Sequence, residues 1–347
     1  MRDSSLCNGR GAILFGVRAK QLCTDPDVVT HELAHVWMHP MLGESRWTLD
    51  TAGTSNDPAI IKEALADFYA AVMSGDPVWG ERSAFPTEAA RSMRVNVVFP
   101  EARTGAAHND SLALSSALWG VYSKEKEPFV KGLTRYIVGM TAPPKAVAPW
   151  ARGLAVELGT TDAALGATWL RAAEQHGLLL EERVLDIGFD AMTRAYADGF
   201  VVPGRKDVPD AALPRSVVQF RGQSPVASKG IVSLRASAGA EAQLEAVVRA
   251  GELVDDATAL GARAPFKRAG GRFEAPLELP EGRYYVQITN RGDTATWFDD
   301  VAIRLVESAP ELPPPAGGSS PNAMVIGAGL LAAVVLVYVV LRRRSQT

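Results

Sequence analysis

The hydrophobic pattern of this chain changes its period partway along. Residues 12–17 form a short apolar run that reads as a strand. Asp25-Pro26-Asp27 then opens a helix, with Asp25 as N-cap and Pro26 at the first helical position. That helix is expected to run to about Met38, where Pro40 stops it. Gly43, Gly53 and Asn56-Asp57-Pro58 mark a loop. Helical spacing returns over 59–73 and ends at Ser74-Gly75-Asp76-Pro77. Residues 111–123 and much of 129–195 keep the helical period, broken at Pro143-Pro144 and Gly177. Near residue 200 the period falls to two. Residues 230–237, 243–250, 283–290 and 298–305 alternate apolar and polar between Gly-rich turns, as the strands of a β-sandwich do.

The pattern changes again after the last strand. Residues 309–322 are rich in Pro, Gly and Ser and read as a linker. Residues 323–341 are uncharged and apolar all round, long enough to span roughly 28 Å as a helix, against about 30 Å of hydrocarbon. Arg342, Arg343 and Arg344 follow. This is the pattern of a single transmembrane helix with a short cytoplasmic tail, 342–347, and the body of the protein outside the cytoplasm. The first residues carry no export signal, so a late start of the given chain, rather than a tail anchor, is the expectation. The expected organisation is α+β: a mainly helical domain over 1–200, a β-sandwich over 210–308, the linker, and the membrane helix.

Composition adds exclusions. Lys and Arg number 36 against 39 Asp and Glu, a net charge of −3, so no global basic surface suggests a nucleic-acid partner. The 2 cysteines, Cys7 and Cys23, are too few for a disulfide scaffold or a Cys-rich zinc module. They flank the first strand, and either a bridge or two separate thiols fits them.

The chemistry concentrates in Thr30-His31-Glu32-Leu33-Ala34-His35. With 5 histidines in the chain, chance supplies only ~0.004 His-Glu-x-x-His matches. On a helix, i and i+4 share a face, so His31 and His35 can reach one metal ion. Glu32 lies one step round, where it can take a proton from an attacking water. Two candidates offer a third ligand. His39 lies one further turn along, where it also suits the helix C-terminus. Glu63 lies in the second helix, four residues before Asp67, so one of these carboxylates can bind metal while the other orients a ligand imidazole. Three protein ligands leave a fourth position open, as in a catalytic rather than a structural site.

These segments resemble the thermolysin-like (gluzincin) zinc metallopeptidases. Residues 27–35 resemble that family's zinc helix, and Glu63-Ala64-Leu65-Ala66-Asp67 its second zinc helix. The resemblance implies one catalytic Zn2+ held by His31, His35 and Glu63, with Glu32 as general base and Asp67 holding His31. Asp76-Pro77-Val78-Trp79 is similar to the family's closing Asn-Pro-Asp-Trp. Arg91-Ser92-Met93 resembles the segment whose arginine binds the substrate carbonyl. His108-Asn109-Asp110-Ser111 resembles the segment of the transition-state histidine. Val28 would line the S1′ pocket, with Ala90 where the family often has leucine. Residues 169–179 resemble the family's closing helix.

The chain departs from the family at several points. Lys62 replaces an Asn that supports the second histidine. Arg103 stands roughly where an acid partner for His108 is expected, leaving Asp110 to orient it. Most of the N-terminal β-rich lobe is missing, and no Ca2+ site is recognised. The expected function is a membrane-anchored zinc endopeptidase acting on proteins or peptides. The alternatives are an inactive peptidase fold serving as a surface-binding protein, and a gluzincin aminopeptidase, whose Gly-x-Met-Glu-Asn strand is not found in residues 1–30. Trp297-Phe298-Asp299-Asp300 is read as a strand-end turn before a carbohydrate or calcium contact.

Overall fold

The computed structural model describes residues 5–7, 13–15, 24–50, 52–79, 91–189, 191–193, 199–208, 213–236, 243–254 and 262–306. The linker, the 323–341 segment, the Arg cluster, Cys23 and Ala90 lie outside them. Among the described residues no helix is long and apolar enough to cross a membrane. The chain is α+β, with a helical first part and a β-rich C-terminal region.

The helices are α1 (Pro26–Leu42), α2 (Asp57–Ser74), α3 (Ala107–Val138), α4 (Val147–Thr161) and α5 (Ala163–Gln175). Asp25 caps α1 by accepting from the Asp27 N–H at 3.0 Å, a contact worth about 1 kcal/mol. The helix does not stop before Pro40. Proline lacks only an N–H, and so near a C-terminus it removes one bond; α1 closes two residues later, with Gly43 N–H on the His39 carbonyl. The α2 helix ends on Gly75 in the left-handed conformation, its N–H returned to the Ala71 carbonyl. In α3 the helix is broken at Lys126, whose φ of 48° is foreign to it, two residues before Pro128. Ile60, Ile61, Ala64, Leu65 and Phe68 are fully buried, making α2 the central helix of a core shared with α1, α3, α4 and α5.

Short strand pairs punctuate the helical part: β1 (Ser5–Cys7) with β2 (Ile13–Phe15), β3 (Thr48–Asp50) with β4 (Gly53–Ser55), and β5 (Val78–Trp79) with β6 (Arg91–Ser92). The sheets of the second part draw on β7 (Val184–Asp186), β8 (Met192–Thr193), β9 (Phe200–Val202), β10 (Gln219–Ser224), β11 (Ser228–Ala236) and β12 (Leu244–Ala250). They continue with β13 (Ala262–Pro265), β14 (Lys267–Ala269), β15 (Arg272–Leu279), β16 (Gly282–Asn290) and β17 (Thr296–Leu305). One sheet has the order β13-β12-β16-β10-β7 and the other β14-β15-β11-β17-β8, with β9 also on β17. Their inward residues, among them Val232, Leu234, Val248, Leu277, Val286 and Ile303, share one core. The β-rich part therefore begins before residue 200, because β7 and β8 already pair into these sheets. Asp299 and Asp300 lie inside β17 at a register shift against β11, and Arg235 pairs with Asp300, so they form no strand-end turn.

The two parts are joined where the functional residues begin. Arg183 sends two parallel bonds, 2.7 and 2.8 Å, to the Asp50 carboxylate on β3. Arg215 N–H donates to Thr54 Oγ1 on β4, and Val201 N–H on β9 donates to the Thr104 carbonyl. Gly105 sits at φ +88°, and a Cβ there would come within 2.8 Å of the Val201 carbonyl oxygen. The sheets thus hold β3–β4, which leads into α2, and the turn that leads into α3.

Candidate metal centre

Packing of α1 against α2 brings together residues 28 and 32 positions apart in sequence, His35 and His31 with Glu63. His31 and His35 lie one helical turn apart on α1, with their Nε2 atoms 3.0 Å from each other. Glu63 Oε2, from α2, is 3.3 Å from each. Among the described residues this is a group of His and carboxylate donors able to hold a metal ion. Metal bonds of ~2.0–2.1 Å in a tetrahedron require donor separations of about 3.3–3.4 Å, which this triangle nearly has. Glu63 Oε2 is buried without a well-formed hydrogen bond, which a metal would satisfy. Two imidazoles and one carboxylate fit zinc and other first-row metals.

The surroundings orient the first histidine. Asp67 Oδ1 lies 2.8 Å from His31 Nδ1, which puts a proton on Nδ1 and aims Nε2 at the triangle. Burial disfavours charge on His31, but Asp67 and Glu63 outweigh it and raise its pKa to about 9. Burial pushes the Asp67 carboxyl up, yet Arg91 and His31 hold it below the usual carboxylate range. Burial also opposes charge on Glu63, and the adjoining His108 and His35 more than reverse this. Trp79 packs its ring 5.2 Å from that of His31.

Arg91 lies across the site. Its guanidinium stacks on Trp79 at 3.9 Å, with one nitrogen 3.2 Å from Asp67 Oδ1 and another 3.0 Å from His108 Nδ1. His108, at the start of α3, stands 3.1 Å from Glu63 Oε2 while most of its side chain faces solvent. Its Nδ1 can donate to Glu63 or accept from Arg91, but not both at once. Glu32 is buried beside His31 on α1. Val28 is also buried, in a small cluster with Ala70 and Trp79.

Other expected residues serve elsewhere. His39 faces Glu44 at 3.7 Å, near the end of α1. Lys62 donates to the carbonyls of Gly43 and Ser45 and so ties α2 to the loop after α1. Arg103 pairs with Asp57 and stacks on Phe99. Asp110 does not orient His108: its oxygens accept from Thr104 N–H, Thr104 Oγ1, Gly105 N–H and Asn56 Nδ2, which fixes the turn before α3. The groups found beside His108 are Arg91 and Glu63. His176 Nδ1 bonds the Val97 carbonyl at 2.7 Å and has a structural part only.

Beside His108 opens a cleft of about 330 Å³, lined among others by Trp47, Ala59, Gly105, Val201 and Trp297. Sequence reasoning missed Trp47 as part of a site, and no local pattern links it to Trp297.

No family model and no curated protein matches the chain. Among solved structures, it is similar to the pre-peptidase C-terminal domain of collagenase from Bacillus anthracis, at 12% identity and a TM-score of 0.23, over 36% of this chain and 98% of that one. At that score neither fold nor function follows from the likeness.

Proposed function

We propose that the chain is a zinc metalloendopeptidase of the thermolysin-like (gluzincin) class, anchored in a membrane through residues 323–341 with its catalytic part outside the cytoplasm. The observation that carries the catalytic reading is the triangle of His31, His35 and Glu63, backed by Asp67, with the buried Glu32 next to His31 on α1. The anchor rests on sequence alone. A zinc ion in this triangle would supply Lewis-acid activation of water and of the scissile carbonyl. Glu32 accepts the proton of the attacking water and passes it to the leaving amine as the C–N bond breaks. Asp67 keeps His31 in the tautomer that presents Nε2, and Arg91 holds Asp67 in place. His108 donates a hydrogen bond to the carbonyl oxygen as negative charge develops on it.

The zinc-loaded full chain should cleave unfolded casein, stop when a chelator is added, and recover when zinc is returned. His108→Ala should retain zinc and lower the rate by roughly 10²–10³-fold, the effect of losing one such donor. Cleavage that persists in chelator, or no cleavage with zinc bound, would overturn the reading.

A further inference from the structure

The cleft beside His108 is assembled from four separate parts of the chain. Ala59 at the start of α2 and Gly105 ahead of α3 line its helical side. Val201 on β9 and Trp297 on β17 line the other, where they are register partners, and Trp47 joins them from the loop after α1. Its volume of about 330 Å³ is that of a small ligand site.

Trp297 is 44% exposed although its neighbour Phe298 is buried at 2%. A large apolar ring left open at a concave surface marks a place where another apolar group binds. The cleft shares His108 with the metal centre: His108 lines it, and its Nδ1 lies 3.1 Å from Glu63 Oε2. The distance between Trp297 and His108 is set by backbone: Val201 N–H on the Thr104 carbonyl at 2.7 Å, and the close approach at Gly105.

We infer that the sheet region is a specificity wall of the peptidase, in which Trp297, with Trp47, receives an aromatic side chain of an extended peptide substrate. This rests on the peptidase reading, because it takes the cleft as the continuation of the substrate site. An aromatic side chain can pack on the exposed Trp297 ring, and small residues at Ala59 and Gly105 leave room for the adjoining peptide backbone.

The test uses the full, zinc-loaded chain carrying Glu32→Gln, so that nothing is cut, and titrates blocked octapeptides of Ala and Gly with a single Phe scanned through the eight positions. The probes are uncharged, which keeps Arg46 at the cleft out of the comparison. Phe at one or two adjacent positions should tighten binding about 10-fold over the Phe-free parent. Trp297→Ala should shrink that gain to about twofold or less, measured against the Phe-free parent in the same variant, and Trp297→Phe should keep most of it. An undiminished gain in Trp297→Ala, or no gain at any position, would overturn the inference. Binding is read here without turnover, so this result and the casein result can fail separately.

Discussion

Glu32→Gln is expected to keep its zinc and its fold and to lose turnover by roughly 10²–10⁴-fold, the span that a positioned general base contributes. Glutamine has nearly the volume of glutamate and can keep its hydrogen bonds, but it has no basicity. Glu32 is buried on α1 beside His31 and stands outside the donor triangle, so its replacement removes no ligand. The loss should therefore fall on the proton transfer alone. Steady-state cleavage rates and metal content, measured on the same preparation, decide it. An unchanged rate would place the activity elsewhere and favour the surface-binding alternative; loss of zinc would make Glu32 part of the metal site.

The largest effect on stability is expected at Asp57. Its carboxylate, 5% exposed at the start of α2, pairs with Arg103 and accepts from Val147 N–H at 2.7 Å and Ser55 Oγ at 2.8 Å. Asp57→Ala would strand the Arg103 guanidinium, itself 4% exposed, without its counter-charge. Breaking a buried pair from one side costs about 3–5 kcal/mol. Urea denaturation followed by tryptophan fluorescence measures it, and a loss under about 1 kcal/mol would contradict the assignment. The pH dependence has a definite sign. Burial pushes the Asp57 carboxyl up, but Arg103, the Val147 N–H, Arg183 and Ser55 hold it below its ordinary value. Its stabilisation is therefore present above the unfolded carboxylate value of ~3.9, and it is lost as pH falls through the lower folded value. The variant should lack that part of the acid transition.

The metal centre was legible because its signal is local. The i, i+4 spacing of His31 and His35, and of Glu63 and Asp67, states which side chains share a face, and Asp25-Pro26 and Ser74-Gly75 mark helix ends by backbone chemistry. The strands β11, β12, β16 and β17 were legible for the same reason, since a sheet with one buried face writes a period of two into the chain. What failed was long-range. Arg103 and Asp110 look close to His108 in sequence, but the turn at 104–106 carries both into the interior, where their partners are Asp57 and Asn56. Nothing in residues 91–93 says that Arg91 will lie between Asp67 and His108. The early strands β7 and β8 are too short, at 3 and 2 residues, to show a period. The break of α3 at Lys126, two residues before Pro128, falls in the gap between the helical stretches 111–123 and 129–195. The cleft between Trp297 and His108 depends on how sheets and helices dock, which no sequence window contains.

The most direct test of the central claim is the zinc content of the purified full chain and of its His35→Ala variant. The triangle predicts one zinc per wild-type chain, removable by a chelator, and less than about a tenth of that in the variant, because His31 and Glu63 alone do not hold zinc well against water. Stoichiometric zinc in folded His35→Ala would contradict the assignment of the metal to these three residues.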